Sequence, residues 1–278
     1  MHPMNLPTKD CLLENNMHRL LKALSLTLAL AAFSVFTAGC GSGNTAQVRF
    51  VNAIQDTQDY GSTGLDIDFN GNKVFTDITY DQFSASTYSS VPSGNPTIAA
   101  FQTGSTPPAN QVFSQAPPLG LNGGSQYTMV ATGFASGGGS DVVILAPTDN
   151  NTEPANGSVN FRVINASPSG PNGSEQAVDV YILQNPNNGI EGQTPTFSNL
   201  AYKNTTSYIP LPINTANSGW ELFVTITGSG TPYINAPITN FGSSTEGSIC
   251  TLVLTDIPNG DEMNFTPIFL NDLNGCSN

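Results

Sequence analysis

The chain has 278 residues, a formal net charge of −13, and 10% charged against 38% hydrophobic residues. From residue 41 onward four cations, Arg49, Lys73, Arg162 and Lys203, face eighteen carboxylates, leaving fourteen net negative charges. So few cations cannot neutralise a phosphate backbone, which excludes nucleic acid as a partner, and anionic headgroups repel such a surface. Both histidines, His2 and His18, precede residue 41, so the remainder lacks His-based triads, imidazole zinc sites and the usual base near neutral pH.

In chain order the first feature is an export signal. Met17, His18, Arg19 and Lys22 lead into a fourteen-residue apolar run, Ala23 to Phe36. As a helix that run is about 21 Å long, short of a hydrocarbon core of about 30 Å. It ends in Thr37-Ala38-Gly39-Cys40, which resembles the lipobox of bacterial lipoproteins, departing from it at Thr37, where Leu is commonest. The resemblance implies a thioether-linked diacylglycerol on Cys40 and cleavage before it. The membrane is then a partner through the lipid, with two or more acyl chains giving stable anchorage. Gly41 in place of an Asp favours the outer membrane in a two-membraned source. Residues 1–16 fit neither signal region, which makes Met17 the better start. Residues 41–45 form a tether reaching at most about 17 Å.

Next comes an internal repeat. "VRFVNA" (48–53) returns as "FRVINA" (161–166), "LDIDF" (65–69) as "VDVYI" (178–182), "TYSSVP" (87–92) as "SYIPLP" (207–212), and "GSQYTMV" (124–130) as "GSICTLV" (247–253). Alternating runs rich in Val, Ile, Thr, Phe and Tyr fall at 46–53, 65–69, 73–76, 86–91, 96–102, 111–115, 126–133 and 141–146. Period-two alternation with Gly, Pro and Asn punctuation predicts strands, and no segment shows a sustained helical period. The expected fold is all-β: two tandem immunoglobulin-like antiparallel β-sandwich domains after the signal helix. Their expected bounds are 46–146 and 159–278, joined by a Pro- and Asn-rich linker at 147–158.

"LDIDFNGNKVFTD" (65–77) supports two readings. Asp66, Asp68 and Asn70 occupy alternate ligand positions of a calcium loop, with Gly71 at its turn. The same residues make a strand, an Asn-Gly turn and a second strand. The repeat favours the hairpin, because Asp68 becomes Tyr181 and Asn70 becomes Leu183 while the apolar alternation persists. Asp66, Asp68 and Asn70 are kept as a weak metal candidate on one exposed strand face. Arg162 to Pro168 with Val178 to Tyr181, and Arg49 to Ala53 with Leu65 to Gly71 and "GGSQYTMVATGF", resemble the bacterial domain of unknown function forty-three ninety-seven. The resemblance spans 46–146 and 159–272 and implies tandem immunoglobulin-like sandwiches in anchored or secreted proteins, with no established activity. Asn52 and Asn165 stand where that family often has His.

The remaining chemistry is sparse. No G-x-S-x-G, P-loop or dinucleotide fingerprint occurs after residue 40. Lys73 and Lys203 fall in hairpin or loop contexts, and Trp220 opens an alternating run, where packing is its expected role. Asp66 and Asp68 have the spacing of paired carboxylates, which leaves a carboxylate hydrolase as a distant alternative. Cys250 and Cys276 are a candidate disulfide in an oxidising compartment. No cofactor and no catalysis are expected. The leading expectation is a lipid-anchored cell-envelope module whose loops 54–64, 103–111, 133–141 and 184–196 contact an envelope protein or polysaccharide. The alternative is a carbohydrate-binding or calcium-assisted adhesion domain.

Overall fold

The alternating runs form strands. In the first half these are β1 (Thr45–Ile54), β2 (Leu65–Phe69), β3 (Asn72–Ile78), β4 (Gln82–Phe83), β5 (Ser89–Pro92), β6 (Ile98–Gln102), β7 (Gln111–Gln115), β8 (Gln126–Gly133) and β9 (Val143–Leu145). The second half holds β10 (Ser158–Asn165), β11 (Val178–Gln184), β12 (Phe197–Leu200), β13 (Ile209–Pro212), β14 (Trp220–Ile226), β15 (Pro232–Ile238), β16 (Ile249–Asp256) and β17 (Phe265–Leu273). A 3-10 turn, η1 (Gln55–Tyr60), follows β1, and among the described residues there is no α-helix. The computed structural model describes residues 43–278 except 61–63, 85–86, 116–118, 137–138, 140, 169–174, 185–188, 214–218, 239–246, 258–264 and 274–278. The signal, Cys40 and Cys276 therefore lie outside the described residues.

The strands make four sheets. The first half contains β3-β2-β6-β7 and β4-β1-β8-β9, with β5 also paired to β1; the second contains β13-β10-β16-β17 and β12-β11-β14-β15. Most pairs are antiparallel, as expected. The central pair of each inner sheet departs from this: β1 runs parallel to β8 and β10 parallel to β16. A parallel pair joins strands distant in sequence and is normally buried on both faces, which fits the continuous burial of β8 and β16.

Alternation explains where each face goes. Val48, Phe50 and Ile54 of β1 point into a core shared with Ile67, Phe69, Ile98 and Phe113. Val159, Phe161, Leu222, Val224 and Leu252, with Trp220, fill a second core between the other two sheets. The opposite faces of the inner sheets bury a third cluster: Val51, Ala53 and Val130 against Ile164, Ala166, Val253, Ile268 and Leu270. The result is a four-layer stack, and Asn44–Asn278 form one compact unit. Residues 147–149, expected in a linker, instead extend the first sandwich. The amide of Thr128 donates to the Pro147 carbonyl (3.3 Å), and that of Asp149 to the Gln126 carbonyl (2.8 Å).

The hairpin reading of 65–77 holds. β2 pairs antiparallel with β3, and Asn70 and Gly71 turn the chain at φ of 50° and 77°, a conformation glycine adopts without steric cost.

Candidate functional site

Two places bring polar chemistry together: the middle of the seam between the inner sheets, and a cleft at one end of it. The seam is held by arginine. Arg49 on β1 points away from its own core and donates through Nε to Thr128 Oγ1 (2.8 Å) and through Nη1 to the Asn271 carbonyl (3.4 Å), and pairs through Nη2 with Asp272. Arg162 on β10 repeats the pattern. Its Nε donates to Thr251 Oγ1 (2.8 Å), its Nη1 to the Thr148 carbonyl (3.0 Å), and its Nη2 pairs with Asp149. Arg49 also lies 3.6 Å from Asp149. Each guanidinium stacks over a tyrosine, Tyr88 at 5.4 Å and Tyr208 at 4.5 Å. Those phenols donate to Asp149 (2.6 Å) and Asp272 (2.7 Å).

All four charged side chains are at most 2% exposed. Burial alone would lower the Arg49 pKa, but Asp272, Asp149 and Tyr88 outweigh it and hold it above its ordinary value. Each arginine finds a carboxylate in the segment that closes the other half of the chain, so the quartet cross-links the two sandwiches. Two of the chain's few cations, kept by the repeat in "R-x-x-N-A", were a sequence signal for such a role; counting them only as charge missed it.

Asp66 and the asparagines singled out in the sequence are structural ties, and Asp68 is not. Asp66 accepts from the Asp77 amide (3.1 Å) and Thr103 Oγ1 (3.0 Å) and pairs with Lys73. Burial works to raise its pKa, while Lys73, Asp77 and Thr103 outweigh that and lower it. Asp179 does the same in the second half, accepting from the amides of Asn199 (2.8 Å) and Gly228 (3.2 Å) and from Thr227 Oγ1 (3.1 Å). Asn70 Oδ1 accepts from the Thr97 amide (2.9 Å). The face carrying Asp66 and Asp68 was expected to be exposed, yet the two residues are only 2% and 5% exposed, because β2 lies between β3 and β6. Burial raises the Asp68 pKa, with Lys73 opposing and Asp66 adding, and its Oδ1 has no hydrogen-bond partner. Among the described residues no group of three metal-ligating acids, histidines or cysteines occurs. Asn52 and Asn165 each donate to a carbonyl across the turn, of Ile78 (3.1 Å) and Leu200 (3.0 Å). Cys250 is fully buried and disulfide-bonded.

Three of the expected contact loops share one end of the first sandwich. Ile54 is level with Gly133 and Leu65 with Gln102, so the segments 54–64, 103–111 and 133–141 leave the sheets together. Asp56 of η1 ties two of them, accepting from the amides of Ala135 and Ser136, both at 2.6 Å. The segment 184–196 leaves from Gln184, the end of β11 remote from Val178, and does not join them.

Beside this end the seam opens into a cleft of about 380 Å³ lined by Gly133, Phe134, Asp141 and Val143 from the first half and Pro168, Glu175, Tyr202 and Lys203 from the second. Gly133 is obligatory here: at φ 112°, a Cβ would come within 2.2 Å of the Asp141 carbonyl oxygen. Thr132 Oγ1 donates to the Ala166 carbonyl (2.6 Å), so the 3.3 Å contact with Tyr202 has the phenol as donor. Burial pushes the Tyr202 pKa up, the Thr132 contact opposes this, and Glu175 and Asp256 add to it. Lys203 arches over the Tyr202 ring at 4.6 Å. Phe134 and Asp141 lie in an expected loop, whereas Tyr202, Lys203 and Glu175 join the site only because two sequence-distant segments meet.

Among curated proteins no match to the sequence is found. Solved structures give remote likenesses. The glycogen-degrading pneumococcal virulence factor SpuA is 12% identical over 81% of this chain and 22% of that one, with a TM-score of 0.26. A streptococcal family 41 carbohydrate-binding module that recognises α-glucan is 9% identical, over 76% and 94% of the two chains, with a TM-score of 0.24. A candidate cell adhesion protein from Bacteroides uniformis is 10% identical, over 83% and 100%, with a TM-score of 0.22. At such scores none of them assigns a ligand to this chain. A family match does run along the sequence, from β1 into β11: residues 46–181 fit the model of a domain of unknown function, DUF4397.

Proposed function

We propose that the chain is a non-catalytic, lipid-anchored cell-envelope protein in which two copies of this domain form one rigid stack that presents the seam cleft and the loops beside it to a partner. The observation that carries the reading is the seam itself. A buried charge quartet and an apolar cluster lock the sandwiches together, and a concave, mixed-polarity surface is left at one end of the lock. Among the described residues the cleft sets two carboxylates, an ammonium and a phenol beside apolar side chains, which supports reading it as a binding surface. Lipid on Cys40 holds the stack near a bilayer, in the outer membrane of a two-membraned source, within the reach of a five-residue tether.

Labelling of the expressed chain with radioactive palmitate tests the anchor. Incorporation is expected in the wild type and absent in Cys40→Ser; label that persists without Cys40 removes the anchor and the location. Calcium-assisted adhesion is a second reading favoured by one observation, the buried and unpartnered Asp68 Oδ1 next to Asp66. Binding only to the folded form raises its melting temperature, so an unchanged midpoint at millimolar calcium disposes of it.

A further inference from the structure

The two halves place the same turn on opposite sides of the seam, and the turns differ in one respect. Tyr80-Asp81 and Tyr202-Lys203 are equivalent. The Asp81 amide donates to the Asn52 carbonyl and the Lys203 amide to the Asn165 carbonyl, both at 2.9 Å, and both residues are left-handed, at φ of 61° and 67°. On the Tyr80 side the seam is bonded shut. Tyr80 donates to the Asp256 carbonyl (2.7 Å), and Thr255 Oγ1 donates to Asp81 Oδ1 (2.6 Å). On the Tyr202 side Gly133 stands where the other half has Asp256, and Lys203 lies out over its tyrosine instead of reaching across. On the Tyr80 side both turn residues bond across the seam, whereas on the Tyr202 side only the tyrosine does, and the cleft opens beside it.

We infer that the open position is a binding site for a neutral, polyhydroxylated ligand: one ring of a saccharide. The inference rests on the binding-module reading above and names the ligand class of that cleft. The lining disfavours an anion. Asp141 and Glu175, on a strongly acidic chain, repel it, and Lys203 offsets one of the two carboxylates, which leaves a single net charge to draw a cation. Donors, acceptors and apolar side chains on one wall suit a ligand with many hydroxyls and an apolar face. Hydroxyls donate to the two carboxylates and accept from the Lys203 ammonium, and the C–H face of a pyranose packs on Phe134, Val143 and Pro168. The Tyr202 phenol already donates to Thr132, so it serves as a fixed wall.

Calorimetric titration of the full chain in detergent with maltotriose, xylotriose and chitotriose, and with trigalacturonate and diglycine as charged and zwitterionic controls, tests this. At least one neutral trisaccharide binds, and Phe134→Ala and Glu175→Gln each weaken it by about tenfold or more, as expected for a lost apolar contact or a lost charged acceptor. Asp81→Asn, on the braced side, leaves the affinity unchanged. Glu175 is exposed, so its variant is expected to fold even where Phe134→Ala does not. The inference is overturned by no heat with any neutral trisaccharide, by a preference for trigalacturonate or diglycine, or by sugar binding that Glu175→Gln leaves intact. Palmitate labelling that still depends on Cys40 in such a case removes the ligand class while leaving the anchored module standing.

Discussion

Asp81 shows how one side chain couples the seam to pH. Burial lifts its carboxyl to about 6, against the lowering effect of its bond from Thr255. A carboxyl whose folded pKa lies above its unfolded value binds its proton more tightly when folded. Its contribution is therefore full below the unfolded value of 3.8 and is lost as pH rises through about 6. At roughly 1.4 kcal/mol per pKa unit, the ceiling on that loss is on the order of 3 kcal/mol. Asp81→Asn is expected to be more stable than wild type at pH 8 by up to this amount, the advantage shrinking to nothing by pH 4. Urea unfolding at several pH values measures it, and parallel profiles for the two proteins would refute it. Nothing in "TYDQF" announced this behaviour, because the shift comes from burial in the seam, where Asp81 meets Thr255, 174 residues away in sequence.

At the scale of elements, each outer sheet is tied by a carboxylate that the repeat keeps. Asp179 starts on β11, reaches the left-handed Asn199 on β12, and collects the turn after β14 through Thr227 and Gly228. Asp179→Ala leaves two amides without their acceptor, which costs about 2–4 kcal/mol, and Asp179→Asn, with one acceptor oxygen left, costs less. Denaturation midpoints of the two variants against wild type test this; equal midpoints for the variants would refute the order, and midpoints equal to the wild type's would mean that the tie contributes nothing. Much of this scale was legible in advance. Alternation located the strands of the first half because a half-buried strand must alternate, and Asn70-Gly71 named its own turn. The short β4 was not legible, since Gln82–Phe83 has no pattern of its own and forms only along β1. The persistence of Asp66 as Asp179 was visible, but its purpose was not, because its partners lie on or beside two other strands.

For the whole molecule, the question is whether the halves unfold together. The third apolar cluster and the Arg–Asp quartet both span the seam, so neither half keeps its surface satisfied alone. Removing one partner of a buried pair strands the other charge, at a cost of about 3–5 kcal/mol. Arg162→Met is accordingly expected to lower stability by that amount, since Asp149 loses its main cation while Arg49 remains 3.6 Å away. In calorimetry the wild type should show a single transition with matching calorimetric and van't Hoff enthalpies. Arg162→Met should separate it into two; a wild type already giving two transitions would show that the seam is not cooperative.

The sequence by itself determined the strand pattern, the hairpin turn and the poverty of catalytic groups, because these depend on local alternation, on backbone φ and on which side chains exist at all. Only the tertiary structure decided that the sandwiches share a buried face, that four of the chain's charges close across it, and that one end of the seam stays open. Those outcomes depend on which sequence-distant surfaces meet, and a charge reads the same in sequence whether it ends in water or opposite a carboxylate.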